Sequence, residues 1–292
     1  MEQFVYSNEG RVLLREATEQ DAVKIYDMYQ DSTPKSWWTD KETSKFRYEL
    51  VKEANGKMFV AILDDEVIGH IELVLPLDKS ESVYLIRLEI HDEYRRRKFG
   101  IELVRFSAII MKNLGYKSYV TWPNPDKSKG LYKKVGLKEI KENPELTVDI
   151  LKKEAVGVEK VEELDFEDEL DNFKIVVGCP WAKNYIWQKA FKAAGGNFLD
   201  YQGPYVHRVR RGNITGVVLV DGNGIYIYLP QEEEEKADLI KDLLIYASNL
   251  AFEEGINNIK VNLPTKIAAE IRLDQLWEIK KEEERLEMKM DF

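Results

Sequence analysis

The chain has 292 residues, 44% of them hydrophobic, so it can bury a substantial core and a wholly disordered chain is excluded. Its 53 acidic and 43 basic residues give a net charge of −10, which argues against a general nucleic-acid or anionic-membrane binder. One cysteine and three histidines cannot supply a disulfide framework or a multi-thiolate metal site, so no metal is expected.

No uninterrupted apolar stretch reaches the length of a membrane span, and the first residues lack the apolar segment of a signal peptide. We therefore expect a cytoplasmic protein that does not bind membranes.

The first 150 residues are predicted to fold as an α/β mixture, in the order β α α β β β α β α β. Strands are predicted over residues 12–15, 58–63, 67–75, 83–90 and 118–122, with another from 137, and helices over 19–29, 41–54, 99–114 and 128–134. The helix at 99–114 is so apolar that it must lie against a sheet. The pattern indicates a mixed sheet with helices on both faces.

The second part of the chain repeats features of the first. Asp21 and Gly69 match Asp168 and Gly216, each 147 residues later, and further on Gly115 matches Gly255 at an offset of 140. A drifting offset is typical of two copies of one fold with unequal loops. We therefore predict two domains, 1–152 and 153–292. In the second copy we expect strands at 225–229 and 259–263 and a helix at 239–251.

Three motifs carry a family resemblance over about residues 10–150. The run Arg95-Arg96-Arg97-Lys98-Phe99-Gly100, between a strand and a helix, resembles the acetyl-CoA motif of the GNAT superfamily of N-acetyltransferases. The run 131–137 (LYKKVGL) and the opening 14–21 (LREATEQD) resemble two further family segments. Lys98 departs from the family, which has glycine there. The resemblance implies a tandem protein of two GNAT-like domains, each a mixed, mostly antiparallel twisted sheet flanked by helices.

A loop that leads into a helix N-terminus suits a pyrophosphate, because unpaired N–H groups and the helix dipole meet there. The resemblance implies acetyl-CoA as co-substrate, held by Leu88, Ile90, Arg95, Arg96, Arg97, Lys98, Phe99, Gly100, Ile101 and Asn124. Backbone groups of Leu88–Ile90 would pair with the pantetheine arm as an added strand does. A solvated basic turn is the alternative interpretation. The second copy has Glu232–Glu235 at the corresponding place, so we expect only the first copy to bind coenzyme A.

The resemblance makes Tyr132 the candidate acid that protonates the departing thiolate. Glu89 is the candidate base, with Glu72, His91 and a water chain as alternatives. A packing role on a short amphipathic helix is the other interpretation of Tyr132.

The expected acceptor is a primary amine on a small molecule or a peptide. A loop at 31–39 with Trp37 and Trp38 could close over it or pack onto the other copy. Two other functions remain open: a non-catalytic acyl-CoA-binding regulator and a structural protein that has lost its ligand. The sequence leaves open whether the chain forms a homodimer.

Overall fold

The computed structural model describes residues 1–8, 10–30, 40–53, 55–76, 79–123, 128–164, 173–178, 205–230, 236–271 and 273–292. The chain folds into two compact units. The first consists of Met1–Lys141 together with Leu286–Phe292, and the second lies between Glu142 and Arg285. No helix in the described ranges is long and apolar enough to cross a bilayer.

The first unit is a sheet flanked by helices. Its strands are β1 (Glu2–Ser7), β2 (Gly10–Glu16), β3 (Lys57–Leu63), β4 (Glu66–Val74), β5 (Ser82–Ile90) and β6 (Ser118–Thr121), and its helices are α1 (Glu19–Gln30), α2 (Lys41–Glu53), α3 (Phe99–Asn113) and α4 (Lys129–Val135). The strands lie in the order β1-β2-β3-β4-β5-β6. All these neighbours are antiparallel except β5 and β6, which are parallel.

The core of the first unit lies between the sheet and α3. Every residue of β3 and β4 is buried except Lys57 and Glu66 at their first positions, which is the pattern of strands covered on both faces. Phe106 of α3 meets Phe59 of β3 edge to face, with ring centroids 5.7 Å apart. The apolar stripe of α3 is therefore buried against the sheet, as its sequence predicts.

The second unit repeats this succession of elements. Its strands are β7 (Lys138–Ile150), β8 (Glu159–Glu163), β9 (Phe173–Val177), β10 (Tyr205–Arg211), β11 (Ile214–Asp221), β12 (Gly224–Pro230), β13 (Asn258–Asn262) and β14 (Trp277–Asp291), and its helices are α5 (Ala237–Glu253) and α6 (Thr265–Glu270). β7 begins in the first unit, and the last residues of β14 pair with β6 there.

Its central strands lie in the order β8-β10-β11-β12-β13-β7, with β12 and β13 parallel. A hairpin, a third strand, a long apolar helix, a parallel strand and a short helix therefore follow one another in both units. This confirms the predicted fold class of two mixed, mostly antiparallel sheets with helices.

Several of the described strands lack a counterpart among the predicted elements, and β1 and β9 are two of them. β1 is an edge strand that is exposed at most of its positions, so no apolar alternation marks it. β9 is a run of five residues whose sequence, FKIVV, does not reveal which strand it pairs with.

Candidate functional site

The strands β5 and β6 separate partway along β5. Their parallel pairing runs from Ser82–Ser118 to Leu85–Thr121 and ends there, whereas β5 continues to Ile90. The register between β4 and β5 shifts between the pairs Leu73–Leu85 and Glu72–Arg87, which is a β-bulge in β5. A bulge bends its strand. No strand within the described residues pairs with the last five residues of β5 on the side of β6, so they border a slot between the two strands.

Backbone groups of Leu88 and Ile90 face this slot. The His91 N–H donates to the Ile68 carbonyl at 2.9 Å, which fixes which residues of β5 bond to β4. Because hydrogen-bonded and non-bonded pairs alternate along an antiparallel ladder, Leu88 and Ile90 point their N–H and C=O groups away from β4. An added strand would pair with Leu88 directly, and with the Ile90 carbonyl after Arg95 Nε, which donates to it at 3.0 Å, has left it.

The loop after β5 carries two residues in the left-handed region. Asp92–Tyr94 form a short 3-10 turn, after which Arg96 has φ 64° and Lys98 has φ 72°. Lys98 is the N-cap of α3 and takes the backbone conformation that glycine adopts without strain. Lys98 thus has the left-handed backbone conformation that suits the glycine of the family motif. The N–H groups of Phe99, Gly100 and Ile101 follow in the first turn, where they have no intrahelical acceptor.

Gly100 lets α3 approach its neighbours closely. A Cβ at this position would lie 3.0 Å from Leu131 Cδ1 of α4 and 3.6 Å from side-chain atoms of Leu88 and Ile90. The N-terminus of α3 is therefore packed against the end of β5 and the start of α4.

All four cations of the loop are exposed, but two of them are held by neighbours. Arg95 pairs with Asp92 at 2.8 Å and with Glu89 at 3.7 Å, and its Nε donates to the Ile90 carbonyl at 3.0 Å. The Arg97 guanidinium lies over the Tyr94 ring, 5.5 Å from its centroid. Arg95 therefore braces the loop against the end of β5 in this structure.

Tyr132 lies on α4 and is buried, with 3% of its surface exposed. Burial raises the pKa of its phenol well above the ordinary value, and hydrogen bonding with Thr121 partly offsets this rise. The Thr121 hydroxyl donates to the Leu85 carbonyl at 3.0 Å, at the last pair between β5 and β6. The phenol is therefore protonated and close to the point where the slot opens.

The three predicted candidates for the base occupy different environments. Glu89 is about one-third exposed and lies on the part of β5 beyond β6. Glu72 is fully buried and pairs with Arg47 at 2.6 Å. Burial alone would raise the pKa of Glu72, but the Arg47 and Arg87 guanidinium groups lower it below the ordinary value. His91 accepts a long hydrogen bond from the Glu93 N–H at its Nδ1.

A buried polar cluster adjoins β4 and was not predicted. Glu72 and His70 of β4 lie with Arg47 of α2, Tyr29 of α1 and Arg87 of β5. The Tyr29 hydroxyl is 2.9 Å from His70 Nε2, and burial lowers the pKa of His70 to about 4. The signal available in the sequence was the spacing of His70 and Glu72, which places two titratable residues on one face of an otherwise apolar strand.

Four sequence predictions lie outside the described residues: Asn124, Asp168 as the match of Asp21, the loop at 31–39 with Trp37 and Trp38, and the glutamates Glu232–Glu235. Within the described ranges, no group of three or more His, Cys, Asp or Glu side chains is arranged to hold a metal ion.

The matching slot of the second unit is filled by a strand of the same chain. The pairing of β12 with β13 ends at Ile225–Val261, each 140 residues after Leu85–Thr121. Beyond that point β12 pairs antiparallel with β9, from Ile227–Val177 to Pro230–Phe173. The Gly178 N–H then donates to the Asn262 carbonyl of β13 at 2.9 Å. β9 is thus wedged between β12 and β13 at the place that corresponds to the open slot.

This geometry defines a fold with a splayed pair of parallel strands, present twice in the chain. A candidate acetyltransferase from Pyrococcus horikoshii has the same fold over 99% of this chain and 91% of its own, with 16% identity and a TM-score of 0.57. A tandem GNAT protein from the clavulanic acid biosynthesis pathway matches 96% of this chain and 98% of its own, with 10% identity and a TM-score of 0.52.

Residues 22–137 match the model of the Acetyltransferase (GNAT) family. Residues 22–137 are therefore similar to the GNAT family, and nearly the whole chain shares the fold of a tandem GNAT protein. No curated protein sequence matches the chain significantly.

Proposed function

We propose that this protein is an N-acetyltransferase that moves an acetyl group from acetyl-CoA to a primary amine. The observation that carries the proposal is the end of β5. Its backbone groups at Leu88 and Ile90 face an open slot, and the strand leads directly into the N-terminus of α3. The residues present fit coenzyme A, because the strand edge at Leu88 and Ile90 suits its pantetheine amides once Arg95 releases the Ile90 carbonyl, and a helix N-terminus with cations suits its phosphates.

Each part of this site has its own task in the proposal. Leu88 and Ile90 hold the pantetheine arm, and the first-turn N–H groups of Phe99, Gly100 and Ile101 receive the diphosphate. Arg96 and Lys98 are exposed at the mouth of the loop and add charge there. Arg95 and Arg97 would reach a phosphate after leaving Asp92 and Tyr94.

The transfer joins the amine nitrogen to the carbonyl carbon of the thioester, and the bond from that carbon to sulfur breaks. The nitrogen gives up one proton, for which Glu89 is the proposed acceptor. The sulfur gains one proton, for which Tyr132 is the proposed donor. A slot-facing N–H of β5 would stabilise the oxyanion.

Calorimetric titration of the full chain with coenzyme A tests the binding step. The double variant Arg95→Ala with Arg97→Ala should weaken binding by about tenfold or more, since each removes a charge-assisted contact. Arg105→Ala is the matched control, because Arg105 is an exposed cation of α3 that pairs with Glu102 outside the loop. Equal affinities in the double variant and the control would overturn the assignment of the loop.

Release of free thiol from acetyl-CoA in the presence of pooled primary amines tests the transfer step. Turnover with at least one amine is expected. Binding of acetyl-CoA with no turnover over a broad panel of amines would favour the non-catalytic acyl-CoA-binding function instead.

A further inference from the structure

The second unit contains a cleft of about 710 Å³ that has no part in the proposed acetyl transfer. Its walls are the residues that follow β7, the start of β10 and the C-terminal half of α5. Tyr205 and His207 alternate along β10 and so share one face of the strand. Tyr246, Asn249 and Glu253 recur at helical spacing on α5 and so share one face of the helix.

One wall of the cleft is fixed to α5 by a reciprocal pair of hydrogen bonds. The Asn249 side chain donates to the Glu154 carbonyl at 2.7 Å and accepts from the Glu154 N–H at 3.0 Å. Lys153 forms an ion pair with Glu253 beside this contact. The segment that carries Glu154 is therefore held in place although it is neither helix nor strand.

A histidine and a tyrosine pair at the cleft. His207 Nδ1 lies 3.0 Å from the Tyr246 hydroxyl, and the two rings meet edge to face. Only 7% of His207 is exposed, yet its ring lines the cleft. Its second nitrogen, Nε2, has no hydrogen-bond partner among the residues that the structure describes. Burial lowers the pKa of His207, which favours the neutral ring. Nε2 accepts a hydrogen bond in the tautomer in which Nδ1 carries the proton and donates to the Tyr246 hydroxyl.

The charge of the cleft is negative. Four glutamates and two lysines line it, and each lysine is paired with one glutamate: Lys153 with Glu253, and Lys160 with Glu163 at 3.1 Å. The other two glutamates of the lining, Glu154 and Glu254, give the cleft its net negative charge. Burial raises the pKa of Tyr205, and so does its hydrogen bond with the Glu254 carboxylate, which therefore contacts the aromatic wall.

Part of the cleft lining is apolar. Val156 and Leu250 lie among the polar side chains and offer a surface for a hydrocarbon stem. Carboxylates, aromatic rings and a neutral imidazole acceptor together suit an ammonium group, through charge, cation–π attraction and a hydrogen bond.

We propose that the cleft beside His207, Tyr246 and Glu254 binds an organic ammonium ion carried on an aliphatic chain. The ammonium group contacts Glu254 and His207 Nε2, and the aliphatic chain lies along Val156 and Leu250. This site is separate from the amine acceptor of the proposed transfer reaction, which would enter the first unit.

Titration of the full chain with 1,5-diaminopentane, followed by calorimetry, tests the proposal. Binding is expected for the diamine and not for pentan-1-ol, which has the same stem and no charge. The double variant Glu154→Gln with Glu254→Gln should weaken diamine binding by about tenfold or more. Glu278→Gln is the matched control, because Glu278 is an exposed glutamate of the same unit outside the cleft.

Nitrogen NMR of the histidine rings tests whether the diamine binds beside His207, which a change in overall charge alone would not reveal. Addition of the diamine should shift the His207 Nε2 resonance in the wild type, and Tyr246→Phe should fold and alter that shift. Equal diamine affinity in the wild type and the double glutamine variant would overturn the proposal, as would equal binding of pentan-1-ol. A chain that binds coenzyme A but not the diamine would refute this site alone, leaving the proposed acetyl transfer intact.

Discussion

In the proposed transfer Tyr132 is the proton donor, and its environment makes donation of that proton costly. A free phenol has a pKa near that of a thiol, so the sequence alone suggests an easy transfer. Burial raises the pKa of Tyr132, and the phenol therefore keeps its proton until negative charge develops on a nearby atom. Its first contribution to the transfer is a hydrogen bond to the departing sulfur.

Replacing Tyr132 by Phe should lower kcat by about a hundredfold or more, because it removes the proton donor, and should leave the affinity for acetyl-CoA nearly unchanged. Steady-state kinetics and calorimetry on the same protein separate the two effects. Tyr116→Phe serves as control, since Tyr116 is also buried but bonds to the Pro76 carbonyl away from the slot. An unchanged kcat in Tyr132→Phe would remove this residue from the mechanism.

Asp221 predicts a pH dependence of stability. Its Oδ1 atom is buried with no hydrogen-bond partner among the described residues, and burial raises its pKa from 3.8 to about 7. Between these two values the folded protein holds a proton that the unfolded chain has released. Stability from this group is therefore complete below about pH 4 and is lost as the pH rises to about 7.

Asp221→Asn should thus stabilise the protein by up to roughly 4 kcal/mol at pH 8 and have little effect near pH 4. Urea denaturation at both pH values measures this difference. Asp274→Asn, at an exposed position of the same unit, should show no such dependence. A constant effect of Asp221→Asn across this range would contradict the assignment.

Some residues could not be interpreted from the sequence because their environment is set by distant contacts. Lys98 reads as a departure from a glycine motif, yet it adopts the left-handed conformation that the motif requires. Glu72 was one of the candidate bases, yet in the structure it is buried in an ion pair with Arg47, a residue the sequence analysis did not single out. Tyr132, Leu88 and Ile90 were predicted from motif and strand position, and the structure places all three beside the slot.

The helices and strands were predicted best where their periodicity is strong. The helix expected at 99–114 extends over Phe99–Asn113, and the one expected at 239–251 extends over Ala237–Glu253. The offset of 140 residues read from Gly115 and Gly255 also relates the last paired residues of β5–β6 and β12–β13. The pairing of β9 with β12 could not be predicted, because a short apolar strand does not specify its neighbour.

The packing of β9 between β12 and β13 predicts that alanine destabilises the protein more at Gly178 than at Gly212. Gly178 and Gly212 both have positive φ, at 108° and 60°, so alanine at either position costs about 1 kcal/mol or more in backbone strain, with the greater strain at Gly178. A Cβ at Gly178 would also overlap the Tyr226 ring, whereas a Cβ at Gly212 would meet nothing within 4 Å. Thermal and urea unfolding should therefore show a larger decrease in the free energy of unfolding for Gly178→Ala than for Gly212→Ala. Equal losses would contradict the packing of β9 against β12.

The whole chain is expected to bind one molecule of coenzyme A. The first unit has the open slot and the cationic loop, and the second has β9 paired along the corresponding strand. Calorimetry should give a stoichiometry near one per chain. A value near two, or binding that survives Arg95→Ala with Arg97→Ala, would contradict this division between the units.

Because β9 belongs to the same chain as β12, it is present at the edge of β12 at a high effective concentration. A segment joined to its binding site by the chain is typically present at a local concentration in the millimolar range. A free molecule that bound the same strand edge with micromolar affinity would therefore have to compete with β9. The first unit, whose slot stays open, should gain about 2.7 kcal/mol of stability from a ligand at 100 times its Kd. The second unit should gain nothing, because its own strand already provides those backbone hydrogen bonds.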